Sequence, residues 1–180
     1  SEALAVSLWD AAGSLPEPLA TKLREVALAN DAPDTAGSGV KIKSSNLWSD
    51  GYGGFGGELA GHANLLALRY RQRQLQRYRQ RILGVADAYR TASVNLSFPV
   101  YPGTFGKVIL LMLNAQALTG DARYVDRADE LADQAVGLFL SDGCALPKAS
   151  HVHDHYEAVT SADTLMMSDR KSTRLNSSHV

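Results

Sequence analysis

The chain has 180 residues, 45% of them hydrophobic and 21% charged, with a formal net charge of −1; this is the composition of one globular domain and excludes a disordered or collagen-like chain. A near-neutral balance without a broad basic cluster gives no footprint for nucleic acid, which needs Lys and Arg gathered on one face. A single cysteine, Cys144, excludes an internal disulfide and a Cys-rich zinc site, and no apolar run approaches the ~20 residues of a membrane-spanning helix.

In chain order, Leu4 to Trp9 and Leu19 to Leu28 predict a first pair of helices around Ala11-Ala-Gly-Ser-Leu-Pro16. Pro18 falls in the first turn of the second helix, where its missing N–H does little harm. Within the long connection that follows, Val40-Lys-Ile-Lys43 is the one candidate for a short strand. Leu59, Ala63, Leu66, Ala67 and Tyr70 recur at helical steps, as do Tyr78, Ile82, Val85, Ala86 and Tyr89, which predicts a second hairpin. Val108, Leu111, Met112, Ala115 and Leu118, then Tyr124, Ala128, Leu131, Ala132, Ala135 and Leu138, predict a third. Thr119-Gly-Asp121 separates its two helices, with Gly suited to the helix end and Asp to the next N-terminus. Tyr156 to Met167 begins a further helix.

The stretch from Asp169 to His179 breaks that pattern and reads as a translated adapter sequence, so residues 169–180 are set apart as a non-native tail and residues 1–168 as the domain. Without Asp169, Arg170, Lys171 and Arg174 the 18 basic and 19 acidic residues become 15 and 18, a charge of −3.

The hairpins repeat. Gly57/Gly103, Leu65/Leu111, Arg77/Arg123, Tyr78/Tyr124, Arg81/Arg127, Ala86/Ala132 and Asp87/Asp133 all match at one offset of 46, which predicts a helix–turn–helix unit used more than once. Turns inside the hairpins are short, whereas 31–56, 93–102 and 141–155 are long and lie between successive hairpins, so they are expected together at one end. Two all-α architectures fit such units: an open TPR- or HEAT-like array that binds a partner protein in its concave face, and a closed ring with functional loops on one rim.

Tyr101-Pro-Gly-Thr-Phe-Gly106, Thr119-Gly-Asp-Ala-Arg-Tyr-Val-Asp-Arg-Ala128 and His153-Asp-His-Tyr-Glu157 resemble the hairpin repeats of the (α/α) toroid carbohydrate-active enzymes, among them polysaccharide lyases, unsaturated-uronyl hydrolases and sugar epimerases. The likeness covers about Leu4 to Ser168 and implies an all-α, incomplete (α/α) toroid of antiparallel helical hairpins. It also implies an oligo- or polysaccharide substrate, no cofactor, and a secreted or periplasmic location, with neither nucleic acid nor membrane as partner.

Asp50-Gly-Tyr-Gly-Gly-Phe-Gly-Gly57 contains Gly51-x-Gly53-x-x-Gly56, the spacing of a dinucleotide fingerprint. That reading requires a buried strand before it and an acidic ribose ligand about 20 residues on. Ser45-Asn-Leu-Trp-Ser-Asp50 is not an apolar strand, and the region further on is helical and basic. Two readings remain: glycines supplying positive φ ahead of a helix, or a sugar-facing rim loop in which Trp48, Tyr52 and Phe55 stack on pyranose C–H faces.

His151-Val-His-Asp-His-Tyr-Glu157 gathers histidines, carboxylates and a tyrosine in seven residues, and histidines titrate near neutral pH. An extended segment would put His151, His153 and His155 on one side; a helical one would align His151 with His155. It could be a polar stretch that caps the next helix through Asp154. It could be a zinc site, although no His-Glu-x-x-His spacing supports a metal and none is assigned. It could be catalytic, as the toroid resemblance implies.

The resemblance then implies β-elimination on a uronate, with Tyr156 as acid or base, His153 or His155 as partner base, and Asn64 or Lys107 polarising the carboxylate. His62 and Asn64 could face the same cavity, with Tyr101 on the rim. Hydrolysis is the alternative, with Asp154 and Glu157 as acid and base, and Asp50, Glu58 and Asp163 as further rim carboxylates. The run Arg69, Arg71, Arg73, Arg77, Arg79, Arg81 reads as a solvated turn with one basic side, and Arg123 and Arg127 as exposed helix charges beside Asp126 and Glu130.

Overall fold

A computed structural model describes residues 1–31, 42, 47–48, 56–140 and 146–168. Six α-helices make three hairpins: α1 (Glu2–Ala12) with α2 (Leu19–Ala29), α3 (Glu58–Arg73) with α4 (Gln76–Thr91), and α5 (Pro102–Thr119) with α6 (Ala122–Phe139). No strand occurs among the described residues, so the protein is all-α. The candidate strand 40–43 lies outside them except for Ile42, which packs against the core. No helix among the described residues is long and apolar enough to cross a membrane.

Local chemistry sets the boundaries of the third hairpin. Pro102 opens α5 at a position that needs no N–H, after Tyr101 in extended conformation. Gly120 closes it in the left-handed region at φ 72°, and its N–H reaches back to Gln116 O. The Asp121 carboxylate then accepts from Arg123 N at 3.0 Å and starts α6. The second hairpin makes its turn differently, with Gln74 at φ 50° and Leu75 extended, because no Gly-Asp pair stands there.

The first helices of the hairpins form a row, α1 against α3 and α3 against α5, and α4 also covers α5. Phe105, Val108, Ile109, Leu111, Met112 and Ala115 are all fully buried, so α5 is apolar on nearly every side because it has neighbours on nearly every side. Residues 162–168 form the next helix, preceded by a 3-10 turn at Ala158–Thr160. Helix formation expected from Tyr156 therefore begins later, after an exposed irregular stretch. This segment lies directly on α5: a Cβ at Gly103 would meet Thr160 O at 2.5 Å, and one at Gly106 would meet Leu165 N at 2.5 Å. Ser168 Oγ donates to Gly106 O at 2.8 Å across the same contact.

The two tyrosines related by the offset of 46 both hydrogen-bond a carboxylate, although the acceptors stand 56 positions apart. Tyr78 Oη donates to Asp31 Oδ1 at 2.9 Å, and Tyr124 Oη donates to Asp87 Oδ1 at 2.9 Å, so α4 is tied near its start to a carboxylate just after α2, and α6 to one within α4. Both tyrosines are buried, as expected for packing residues.

Asp31 also corrects the expected placement of the first long connection. It bonds Arg69 near the end of α3 and Tyr78 near the start of α4, which is the end of the molecule carrying the 74–75 turn. Leu47 and Trp48 lie at the opposite end, where Tyr89 Oη donates to Leu47 O at 2.8 Å. The described residues of this connection therefore lie at both ends of the molecule and not on a single rim.

The arginine run is likewise no solvated basic face. Arg69 has no exposed surface; it bonds Asp31 through Nε at 2.7 Å and Nη2 at 2.9 Å, and its guanidinium lies 5.0 Å over the Trp9 ring. Gln72 joins the same junction, accepting from Arg69 Nη1 at 2.9 Å and donating to Asp10 Oδ1 at 2.7 Å. Arg81 reaches Glu2 at 3.7 Å. These side chains clamp the first hairpin to the second. Arg127, too, is largely buried: Nη2 donates to Ala92 O at 2.7 Å while Nη1 pairs with Glu130 at 2.6 Å. Arg123 does stay exposed, but pairs with Asp121 instead of Asp126.

Candidate functional site

Three segments between hairpins meet at the end of the molecule where α3 and α5 begin. The first is Trp48, whose ring stands edge-on to Tyr89 at 5.5 Å and tilted against Phe105 at 5.1 Å. Phe105 continues the chain of rings to Phe139 at 5.4 Å. Trp48 is only 4% exposed, which corrects its expected role as a sugar-stacking platform: its faces are used in the core. Its indole Nε1 is buried and has no hydrogen-bond partner among the described residues. Tyr89 is buried beside it, and burial pushes its phenol well above the usual range.

Tyr52, Phe55 and Asp50 lie outside the described residues, as do Gly51 and Gly53. The two glycines that follow them, Gly56 at φ 68° and Gly57 at φ 72°, take the left-handed conformation immediately before α3. That is the backbone role expected of this glycine-rich stretch.

The second segment is 100–101 and the third 146–157, and they are stitched together by a reciprocal pair. His151 N donates to Val100 O at 3.3 Å, and Val100 N donates to His151 Nδ1 at 3.2 Å. The imidazole must be unprotonated at Nδ1 to accept that bond, so His151 holds the loop to the start of α5 and is not free for chemistry. Tyr101 is half-buried next to this junction, at the N-terminus of α5. Lys148 N donates to Phe139 O at 2.8 Å and fastens the other side of the loop to the end of α6.

The histidine segment is neither extended nor helical. It turns back at Ser150–His153, where His153 N donates to Ser150 O at 3.3 Å, and Ala149 N donates to His155 O at 2.6 Å. The turn separates His151 from the other two and brings the His153 and His155 rings to 5.8 Å. Buried Ser150 lies with its Oγ 2.8 Å from His153 Nδ1 and accepts from Val152 N at 3.3 Å. His155 Nε2 is 2.7 Å from Glu157 Oε1, both partners about half exposed. The structure thus brings His153, His155 and Glu157 together. Sequence reasoning missed Ser150, whose relevance depends on a turn that no spacing announces.

Asp154 does not cap a helix. Lys148 Nζ pairs with it at 2.6 Å, and that hydrogen bond with the accompanying charge holds the carboxyl below its usual range. Tyr156 is 45% exposed, and among the described residues nothing hydrogen-bonds its hydroxyl. No group of three or more His, Cys, Asp or Glu among the described residues is arranged to hold a metal.

His62 and Asn64 do not face one cavity. Two steps along an α-helix is a rotation of about 200°, which sends them to opposite sides of α3. His62 Nε2 lies 3.5 Å from Arg81 Nη2 on α4, while Asn64 Nδ2 donates to Lys107 O at 2.8 Å on α5 and its Oδ1 accepts from Asn114 at 3.0 Å. Asn64 is thereby committed to joining two helices and not to polarising a carboxylate. Lys107 stays half-buried near the start of α3, its stem close enough that a Cβ on Gly61 would lie 3.6 Å from Cδ. It has no ion-pair partner among the described residues. No protein-family model, no curated protein and no solved structure matches this chain.

Proposed function

We propose that the hairpins form a sector of an (α/α) toroid and that the protein acts on a uronate-containing polysaccharide by β-elimination. The observation that carries this reading is the exposed His153–His155–Glu157 group on a loop fastened to the start of α5 and the end of α6, at the end where Trp48 and Tyr101 also lie. With Nε2–H donated to Glu157, the Nδ1 of His155 is the basic nitrogen; it takes the C5 proton of the uronate. The electron pair forms the C4=C5 bond, the C4–O bond breaks, and Tyr156 gives its proton to the departing oxygen. Lys107 supplies the positive charge for the substrate carboxylate.

Hydrolysis draws less support. A general acid must stay protonated near neutral pH, whereas Lys148 keeps Asp154 ionised. The unequal connections between hairpins weigh against a protein-binding array of regular units.

Incubation with polygalacturonate, alginate and a uronate glycosaminoglycan, followed by ultraviolet absorbance of the unsaturated product, tests the reaction. Activity on one of them, reduced at least 100-fold in both His155→Ala and Tyr156→Phe, is the expected result. Reducing ends released without the absorbance would assign hydrolysis, and full turnover in both variants would remove these residues from the chemistry.

A further inference from the structure

At the opposite end from His155, between the C-terminal halves of α3 and α5, lies an open cavity of about 260 Å³ bordered by Ala67, Tyr70, Arg71, Gln74, Asn114 and Leu118. We propose that it binds a small organic carboxylate, with Arg71 as the anion-holding group. This site is independent of the polysaccharide reading.

The charge inventory singles out this position. Arg24, Arg69, Arg73, Arg81, Arg90, Arg123 and Arg127 each lie within ion-pair distance of a carboxylate. Arg71 has no such partner among the described residues; its Nη2 donates to the neutral amide oxygen of Asn114 at 2.7 Å. Arg79 lies outside the lining; its Nη2 donates to Leu118 O at 3.3 Å. A guanidinium that lines a cavity and whose partner is a neutral amide oxygen leaves a positive charge that a ligand carboxylate can neutralise.

The orientation of Arg71 is fixed from behind. Buried Asn114 donates through Nδ2 to Asn64 Oδ1 at 3.0 Å, and Asn64 Nδ2 donates to Lys107 O at 2.8 Å. Each amide has its oxygen and nitrogen committed, so the relay has one direction and presents Asn114 Oδ1 to the guanidinium. One edge of the planar fork is used, and the remaining N–H groups match the bidentate geometry of a carboxylate. Small Ala67 opens the cavity, while the Tyr70 ring and Leu118 give it apolar walls. The complementary ligand carries one carboxylate on a compact, flat or apolar body.

Benzoate, titrated into the intact chain and followed by backbone amide shifts, serves as the probe, with benzamide as its neutral counterpart. Saturable shifts at Arg71, Gln74 and Leu118 are expected, with affinity for benzamide at least tenfold weaker. Arg71→Gln should weaken benzoate binding at least tenfold, and Ala117→Leu, at an exposed position bordering the cavity, should block it sterically; Arg123→Gln should leave it unchanged. Two variants of different character keep the outcome readable if one fails to fold. No saturable shift with benzoate, equal binding of benzamide, or undiminished binding in the folded variants would overturn the proposal.

Discussion

Arg69 and Arg71 stand two positions apart in one helix and are indistinguishable as letters, yet one is a buried structural cation and the other is a candidate ligand-holding one. Arg69 is fully buried and Asp31 nearly so, with Tyr78, Gln72 and Trp9 completing the surroundings. Removing one member of such a pair strands a buried charge and costs about 3–5 kcal/mol, whereas replacing both by apolar groups of similar volume is often close to neutral. Arg69→Met should therefore lower stability in urea denaturation by about that amount, and Arg69→Met combined with Asp31→Leu should recover much of the loss. If the double variant is no better than the single, the pair is not what holds the junction.

The same junction sets an acid limit. Burial pushes the Asp31 carboxyl up, but hydrogen bonds from Arg69 and Tyr78 and the charges of Arg69 and Arg73 outweigh it, so the group sits below its ordinary value. A carboxyl with a depressed folded-state pKa contributes stability that is fully present above the unfolded value and is lost as pH falls through the folded one. Stability measured by denaturant should thus decline below the ordinary carboxylate range, and Asp31→Asn should flatten that decline. Tyr124 belongs to a similar contact at the other end of the pH scale. Burial and the bond to Asp87 raise its phenol to about 12, so it stays protonated and donating throughout the neutral range.

At the scale of helices, glycine has two meanings that the packing separates. Gly106 faces residues 164–165, and a Cβ there would press on main-chain atoms that cannot move aside without shifting the helix. Gly106→Ala should cost about 1–3 kcal/mol through overpacking, read as a lower denaturation midpoint at unchanged m-value. Gly84 sits within α4 with nothing within 4 Å of a built Cβ, so Gly84→Ala should stabilise by about 0.5–1 kcal/mol by relieving the entropy cost of a helical glycine. The opposite signs are the test. Hairpin turns follow the same logic: Gly120 and Asp121 stop one helix and start the next by their own chemistry, so this boundary was legible in the sequence. The later start of the helix at 162–168 was not, because the Ser150–His153 turn and its attachment to Val100 hold the preceding residues in another conformation.

For the molecule as a whole, Trp48 is, with Leu47 and Ile42, where the first long connection meets the core. Packed against Tyr89 and Phe105, it links that connection to α4 and α5 at once. Trp48→Ala should cost about 3–5 kcal/mol, and loss of this buried ring should remove the blue-shifted part of the tryptophan emission. An unchanged denaturation midpoint in that variant would return Trp48 to the surface role that its glycine-rich surroundings suggested.

The sequence by itself determined that the protein is all-α, where its three hairpins lie, and that the second and third share one pattern. Apolar periodicity, proline at a helix start and glycine at a helix end act over a few residues, and those residues are adjacent in the chain. Only the tertiary structure decided which polar groups are spent on holding helices together and which remain available. His151 pairs with Val100, Asn64 with Lys107 and Asn114, and Arg69 with Asp31, each bond joining residues about 40 or more positions apart. Periodicity says nothing about partners at that distance, because burial of a charged or amide side chain is fixed by what another helix offers it.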